Sequence, residues 1–179
     1  VVTDANILMN LLASECLEEI LATLRVTLIV PPTVSNETIY LEGVEQGSGR
    51  VPIDLSPLEA AGLISVPRLE PEELDLVVEL ATTVDDGEAE VIALAVARQL
   101  TMATDDRKAR RVAEGRSVSL VSTPELLERW HNASGVPLAR VGQALRSIER
   151  RSRYRPAAIH PLHDWRTRLA QANAEGEYS

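Results

Sequence analysis

Alternation constrains this chain more than any other feature. Short apolar runs rich in β-branched residues take turns with segments of helical spacing. Val1–Thr3 is the first such run; "VTLIV" (26–30), "GLISV" (62–66), "LTMAT" (100–104) and "SVSLVS" (117–122) follow. Between them lie "ECLEEILATL" (15–24) behind a capping Ser14, "TVSNETIYLE" (33–42), "PEELDLVVELATT" (71–83), "DDGEAEVIALAVARQL" (85–100) and "DDRKARRVAE" (105–114). Parallel strands need a crossover, usually a helix, so this order implies an α/β fold with a central parallel sheet covered by helices on both faces. The 85–100 segment is apolar nearly all round and is expected to be a buried helix. "EQGSGRVPIDLSP" (45–57) reads as a loop.

After "STPELLERW" (122–130) the character changes. "VPLARVGQALRSIERRSRYRP" (136–156) is an arginine-rich helix running into a Pro-rich turn, and "HPLHDWRTRLAQ" (160–171) suggests a last helix. The expected organisation is therefore an α/β domain over 1–133, an arginine-rich helical extension over 134–171 and a disordered tail over 172–179. With no Phe and two Trp, the core must be packed from Leu, Val and Ala. No run of apolar residues is long enough to span a bilayer, and no secretory signal opens the chain. The lone Cys16 excludes an internal disulfide and suits a cytoplasmic setting.

Charge is unevenly distributed. Residues 1–100 hold 18 acids and 4 arginines; residues 101–179 hold 9 acids and 14 bases. Lys108 is the only lysine. An acidic chain is a poor general nucleic-acid binder, yet a local basic face can still hold phosphates.

In parallel α/β sheets, functional groups gather outside the carboxyl ends of the strands. Asp4 ends the first apolar run, and Asp105 and Asp106 end the fourth. Glu88 and Glu90 open the helix before it, and Glu37 lies shortly after the second. At 100° per residue, Glu37 shares a side with Val34 and Leu41, which would place it beside a core-facing stripe. Each acid alone has a plain explanation as a helix-start acid or cap. Together they crowd like charge at one rim, which raises pKa values unless a cation neutralises it. Hard oxygen donors without a Cys/His cluster favour Mg²⁺ or Mn²⁺ over Zn²⁺.

The runs "VVTDANIL", "SNETIYL", "GEAEVIALAVARQLTMATDD" and "DRKARRVAE" resemble the PIN-domain ribonucleases, including the VapC-like toxins of toxin–antitoxin pairs. The similarity spans roughly residues 1–125, and "GEAE" before "IALA" with a later "TDD" is its most specific part. The resemblance implies a three-layer α/β/α fold with a helical extension and a Mg²⁺- or Mn²⁺-dependent endoribonuclease site. It places the catalytic acids at Asp4, Glu37, Glu88 and Asp106, with Glu90 the rival of Glu88 and Asp105 the rival of Asp106. Asn6 and Thr104 would support them, and Glu stands where the family usually has its third Asp. If two metal ions bind, they would lie roughly 3.5–4 Å apart. The implied partners are an RNA substrate, a cognate antitoxin and a second copy of the chain in a homodimer. Arg107, Arg110, Arg111, Arg150, Arg151 and Arg153 are the RNA-phosphate candidates, each equally explained as part of a solvated helix face. A processing nuclease and a non-catalytic binding protein on the same fold are the alternatives. Haloacid-dehalogenase-type phosphatases and response-regulator receivers need a lysine between the acid motifs, and the only lysine lies beyond the "DD".

Overall fold

The computed structural model describes residues 1–37, 39–43 and 49–176. The chain divides into two compact units. One comprises residues 1–8, 26–39 and 53–122; the other comprises 9–25, 40–52 and 123–179.

The first unit is built on a five-stranded parallel sheet. Its strands are β1 (Val2–Thr3), β2 (Leu28–Ile29), β5 (Ile64–Ser65), β6 (Met102–Ala103) and β7 (Leu120–Val121), in the order β5-β2-β1-β6-β7. Val2 is in register with Ile29 on one side and Met102 on the other. The chain thus winds outward from β1 through β2 to β5, then crosses back to β6 and β7. The reversal leaves a switch point between β1 and β6, where parallel α/β sheets open a crevice at the strands' carboxyl ends. The α/β class expected from the alternation is the class of the structure.

Helices α3 (Pro32–Asn36), α4 (Ser56–Ala60), α5 (Pro71–Leu80), α6 (Asp86–Ala97) and α7 (Arg107–Glu114) belong to this unit. Residues 89–95 of α6 are buried without interruption, as expected of a helix apolar on all sides. Small side chains make that possible: Ala89, Ala93 and Ala95 let α6 approach its neighbours closely, while Val91, Ile92 and Leu94 fill the spaces between. Pro71 opens α5, and Glu70 and Glu73 close a reciprocal capping box around it.

The second unit holds α2 (Leu17–Leu24), the antiparallel hairpin β3 (Tyr40–Glu42) and β4 (Arg50–Pro52), α8 (Thr123–Ser134), α9 (Leu138–Arg151) and α10 (His163–Gly176). Helix α1 (Ala5–Ala13) carries the chain from the first unit into it. Trp130, Leu127, Val141 and Ile148 are almost fully buried there. Helix α10 continues through the first part of the expected 172–179 tail; residues 177–179 lie outside the described residues.

Two local expectations fail. The helix expected over 33–42 stops at Asn36, and Tyr40–Glu42 is a strand. The 45–57 segment is not all loop, because Arg50–Pro52 pairs with that strand; residues 44–48 lie outside the described residues. Apolar spacing alone did not distinguish these outcomes, since the pairing partner of Tyr40 is Pro52, twelve positions away.

Candidate metal centre

Asp4 follows β1 directly and is 6 % exposed. Its Oδ1 accepts the N–H of Ile7 at 2.7 Å, so it caps the first turn of α1. The Thr104 hydroxyl donates to the same carboxyl from the end of β6. Burial still pushes Asp4 up to about 7 against these two hydrogen bonds, and the charges of Asp105 and Glu88 push the same way. Thr104 has a second task, accepting the N–H of Asp106 through Oγ1 at 3.1 Å, and so ties the turn after β6 to Asp4.

Asp106 caps α7: its Oδ1 takes the N–H groups of Lys108 at 2.7 Å and Ala109 at 2.8 Å. The other oxygen is not used by the cap. Asp105 and Asp106 stand in different surroundings, since Asp105 acts on Asp4 and Asp106 acts on Glu88.

Glu88 and Glu90, two residues apart on α6, differ sharply. Both oxygens of Glu90 are taken by Thr33, through its N–H at 2.9 Å and its hydroxyl at 2.6 Å. Glu90 is 9 % exposed and fastens the start of α3 to α6. The half-buried Glu88 has its carboxyl raised by burial, then by the charges of Asp85 and Asp106, with Lys108 offsetting part of this.

Glu37 does not border a buried helical stripe. It terminates α3 in an extended conformation (φ −67°, ψ 146°) and is exposed as a whole. The helix ends one residue earlier, so the periodicity that placed Glu37 toward the core does not apply to it. Its carboxyl tip is nonetheless partly covered. A Cβ added to Gly87 would come within 3.4 Å of Glu37 Oε1 and 3.7 Å of Asp85 Oδ1. Partial burial, then the Asp85 charge, raises the Glu37 carboxyl.

Asp85 went unnoticed in the sequence. It caps α6 by accepting the N–H of Glu88 at 2.8 Å, and its charge reaches both Glu37 and Glu88. The available signal was an acid followed three positions later by Glu88, just before an apolar run.

Asn6 is exposed, and the hydrogen bonds to Asp4 come from Ile7 and Thr104 instead. Arg110 donates to the Thr104 carbonyl at 3.2 Å, and Arg111 bonds back to the carbonyl of Arg107. Arg107 and Arg111 are exposed. Arg151 and Arg153 are ion-paired with Glu15 at 2.8 Å and Glu42 at 3.0 Å, while Arg150 is exposed.

The rim therefore offers only hard oxygen donors, one of them buried and held against its charge. Among the described residues, no group of three or more Asp, Glu, His or Cys side chains already stands at metal-holding spacing. The fit to a divalent cation accordingly rests on donor chemistry and uncompensated charge.

The PIN-domain family DUF3368 matches residues 1–160. The chain belongs to the PIN-domain family. That match extends beyond residue 133 into the arginine-rich helix α9. PIN domains are, as a class, nucleases that typically use divalent metal ions. No curated protein and no solved structure gave a match. Among the described residues, no helix of this PIN domain is long and apolar enough to cross a membrane.

Proposed function

We propose that this PIN domain is a Mg²⁺- or Mn²⁺-dependent endoribonuclease, with Asp4, Glu37, Glu88 and Asp106 as the metal-holding acids. The supporting observation is Asp4, a carboxylate buried at the end of the central strand beside the like charges of Asp105 and Glu88. With a pKa of about 7 such a group is only partly ionised near neutral pH, and a bound cation would favour its ionised form.

Bound at this rim, a divalent cation supplies a water of lowered pKa and neutralises the charge that develops on the phosphoryl oxygens. The protein's own groups set the geometry. Ile7 and Thr104 fix the Asp4 carboxylate from two directions. Asp106 has one oxygen committed to capping α7 and the other available. Glu88 projects from the first turn of α6, whose register is set by Asp85 below it and by Glu90 bound to Thr33. Glu90 thus has a structural part. Asp105 shares the rim and adjusts the charge on Asp4. Arg107 and Arg111, exposed on α7, would hold RNA phosphates.

The test is cleavage of RNA in Mg²⁺ or Mn²⁺ by wild type and Asp4→Asn. Cation-dependent cleavage lost in the variant is expected. Equal cleavage by both proteins removes Asp4 from the site, and no cleavage by wild type favours a non-catalytic binding protein.

The biological setting we propose is that of a toxin in a type II toxin–antitoxin pair, acting as a cytoplasmic homodimer. Expression alone should arrest growth, and co-expression of a small protein encoded next door should restore it. Growth without arrest would instead indicate an RNA-processing PIN nuclease. Light scattering tests the homodimer.

A further inference from the structure

Helix α9 carries Arg140, Gln143, Ala144, Ser147 and Arg150 at spacings that place them along one face. That face borders a cavity of about 620 Å³ within the second unit, which Arg146 and Arg155 also line. The volume is that of a nucleotide-sized ligand site and far exceeds a single bound ion.

Two observations indicate what this cavity would take. The first is its charge. Four arginines line it against two acids, Glu15 and Glu149. Both acids already have partners: Glu15 pairs with Arg151 at 2.8 Å and Glu149 with Arg155 at 2.7 Å. Arg140 makes one hydrogen bond, to Cys16, and neither Arg140 nor Arg150 is ion-paired among the described residues.

The second is Ser147. It is 7 % exposed, lines the cavity, and its hydroxyl has no hydrogen-bond partner. A helical serine ordinarily satisfies itself on the carbonyl four residues back. Ser134 does so on Trp130 at 2.7 Å, and Ser152 on Ile148 at 2.7 Å. Ser147, in the same unit, does not.

The lining is thus dominated by donors. Guanidinium groups donate and never accept, and the buried Ser147 hydroxyl is a donor without a partner. The complementary ligand is an anion rich in acceptor oxygens. A phosphate matches several forked guanidiniums better than a lone carboxylate, having more acceptor oxygens and more charge.

We propose that this cavity binds a phosphate-bearing ligand, with Arg140 and Arg150 holding the phosphate and Ser147 donating to it. The site is separate from the acid rim and does not depend on that rim cleaving RNA. Two sources share this chemistry, a free nucleotide and a phosphate within an RNA strand.

The test is calorimetric titration of the full chain in EDTA with pyrophosphate, ADP and a ten-nucleotide RNA. Arg140→Gln/Arg150→Gln, Arg140→Lys/Arg150→Lys, Ser147→Ala and the control Arg129→Gln are compared after circular dichroism confirms folding. Arg129 is exposed on α8 and lines no part of the cavity. Saturable binding is expected, weakened about tenfold or more by the glutamine pair, less by the lysine pair, severalfold by Ser147→Ala and not by Arg129→Gln. ADP binding at least as tight as RNA identifies the source as a nucleotide, and RNA binding alone identifies it as a strand phosphate. No saturable binding of any probe overturns the site, as does binding insensitive to the glutamine pair. Tighter binding of a polyglutamate peptide than of all three probes overturns the phosphate assignment. A protein that cleaves no RNA yet binds ADP through Arg140 and Arg150 separates this site from the nuclease reading.

Discussion

In the unit that holds the parallel sheet, Asp4, Asp85 and Asp106 each accept a backbone N–H at the start of a helix, and none is in a salt bridge among the described residues. In the other unit, Arg50, Arg151, Arg153 and Arg155 are each paired with a glutamate. Backbone caps stabilise a carboxylate without cancelling its charge, whereas salt bridges cancel it. The charge of these aspartates is therefore not cancelled by the caps that hold them. In the second unit some arginines are neutralised from within, whereas Arg140 and Arg150 are in no salt bridge among the described residues. Net charge along the sequence reports both clusters and distinguishes neither situation.

The largest expected effect breaks the acid side of that comparison. Asp4→Asn should reduce RNA cleavage by about a hundredfold or more, on the scale of removing a key electrostatic group from an active site. It should also raise metal-free thermal stability at pH 7.5, because a buried charge is replaced by a neutral amide of the same shape. Loss of both activity and stability would mean that Asp4 serves the fold.

The pH dependence should follow from the same residue. Asp4 has a folded pKa of about 7 against an ordinary value of 3.8. Between those values the folded chain holds a proton that the unfolded chain has released, so metal-free stability should fall as pH rises from about 4 to 7, by at most about 4 kcal/mol. A divalent cation binds the ionised form, so Mn²⁺ should raise Tm more at pH 7.5 than at pH 5.5. An equal gain at both pH values would detach the cation from Asp4.

Glu88→Gln and Glu90→Gln should separate function from architecture. The first is expected to abolish cleavage with little change in denaturant midpoint. The second should cost about 1–3 kcal/mol through weakened bonds to Thr33 while the folded fraction still cleaves. The reverse result would exchange the two assignments.

The smallest effect tests the basic side. Arg153→Gln removes an exposed pair with Glu42 and should change stability by less than about 1 kcal/mol, with RNA affinity unaltered. A clear loss of RNA affinity would return Arg153 to the substrate surface.

Much of this was readable beforehand because it depends on local pattern. The strand–helix alternation, the buried 85–100 helix and the placing of Asp4, Glu88, Asp105 and Asp106 at strand or helix ends all follow from runs of a dozen residues or fewer. The early end of α3 and the Tyr40–Pro52 pairing were not readable, since a strand's partner is chosen elsewhere in the chain. Helix α1 was also missed. It begins one residue after β1, with no linker to mark it, and its cap is the same Asp4 that reads as a functional acid.

By itself, then, the sequence determined the α/β class and the family and marked which acids stand at strand or helix ends, because periodicity and motif spacing are properties of neighbouring residues. Only the tertiary structure decided which of two near-identical glutamates is free and which is fastened to Thr33, which aspartate caps α7, and which arginines already have partners. Those choices depend on hydrogen-bond and ion-pair partners up to 136 positions away, as between Arg151 and Glu15. A side chain's chemistry is written in the sequence, but its availability depends on what the fold places beside it.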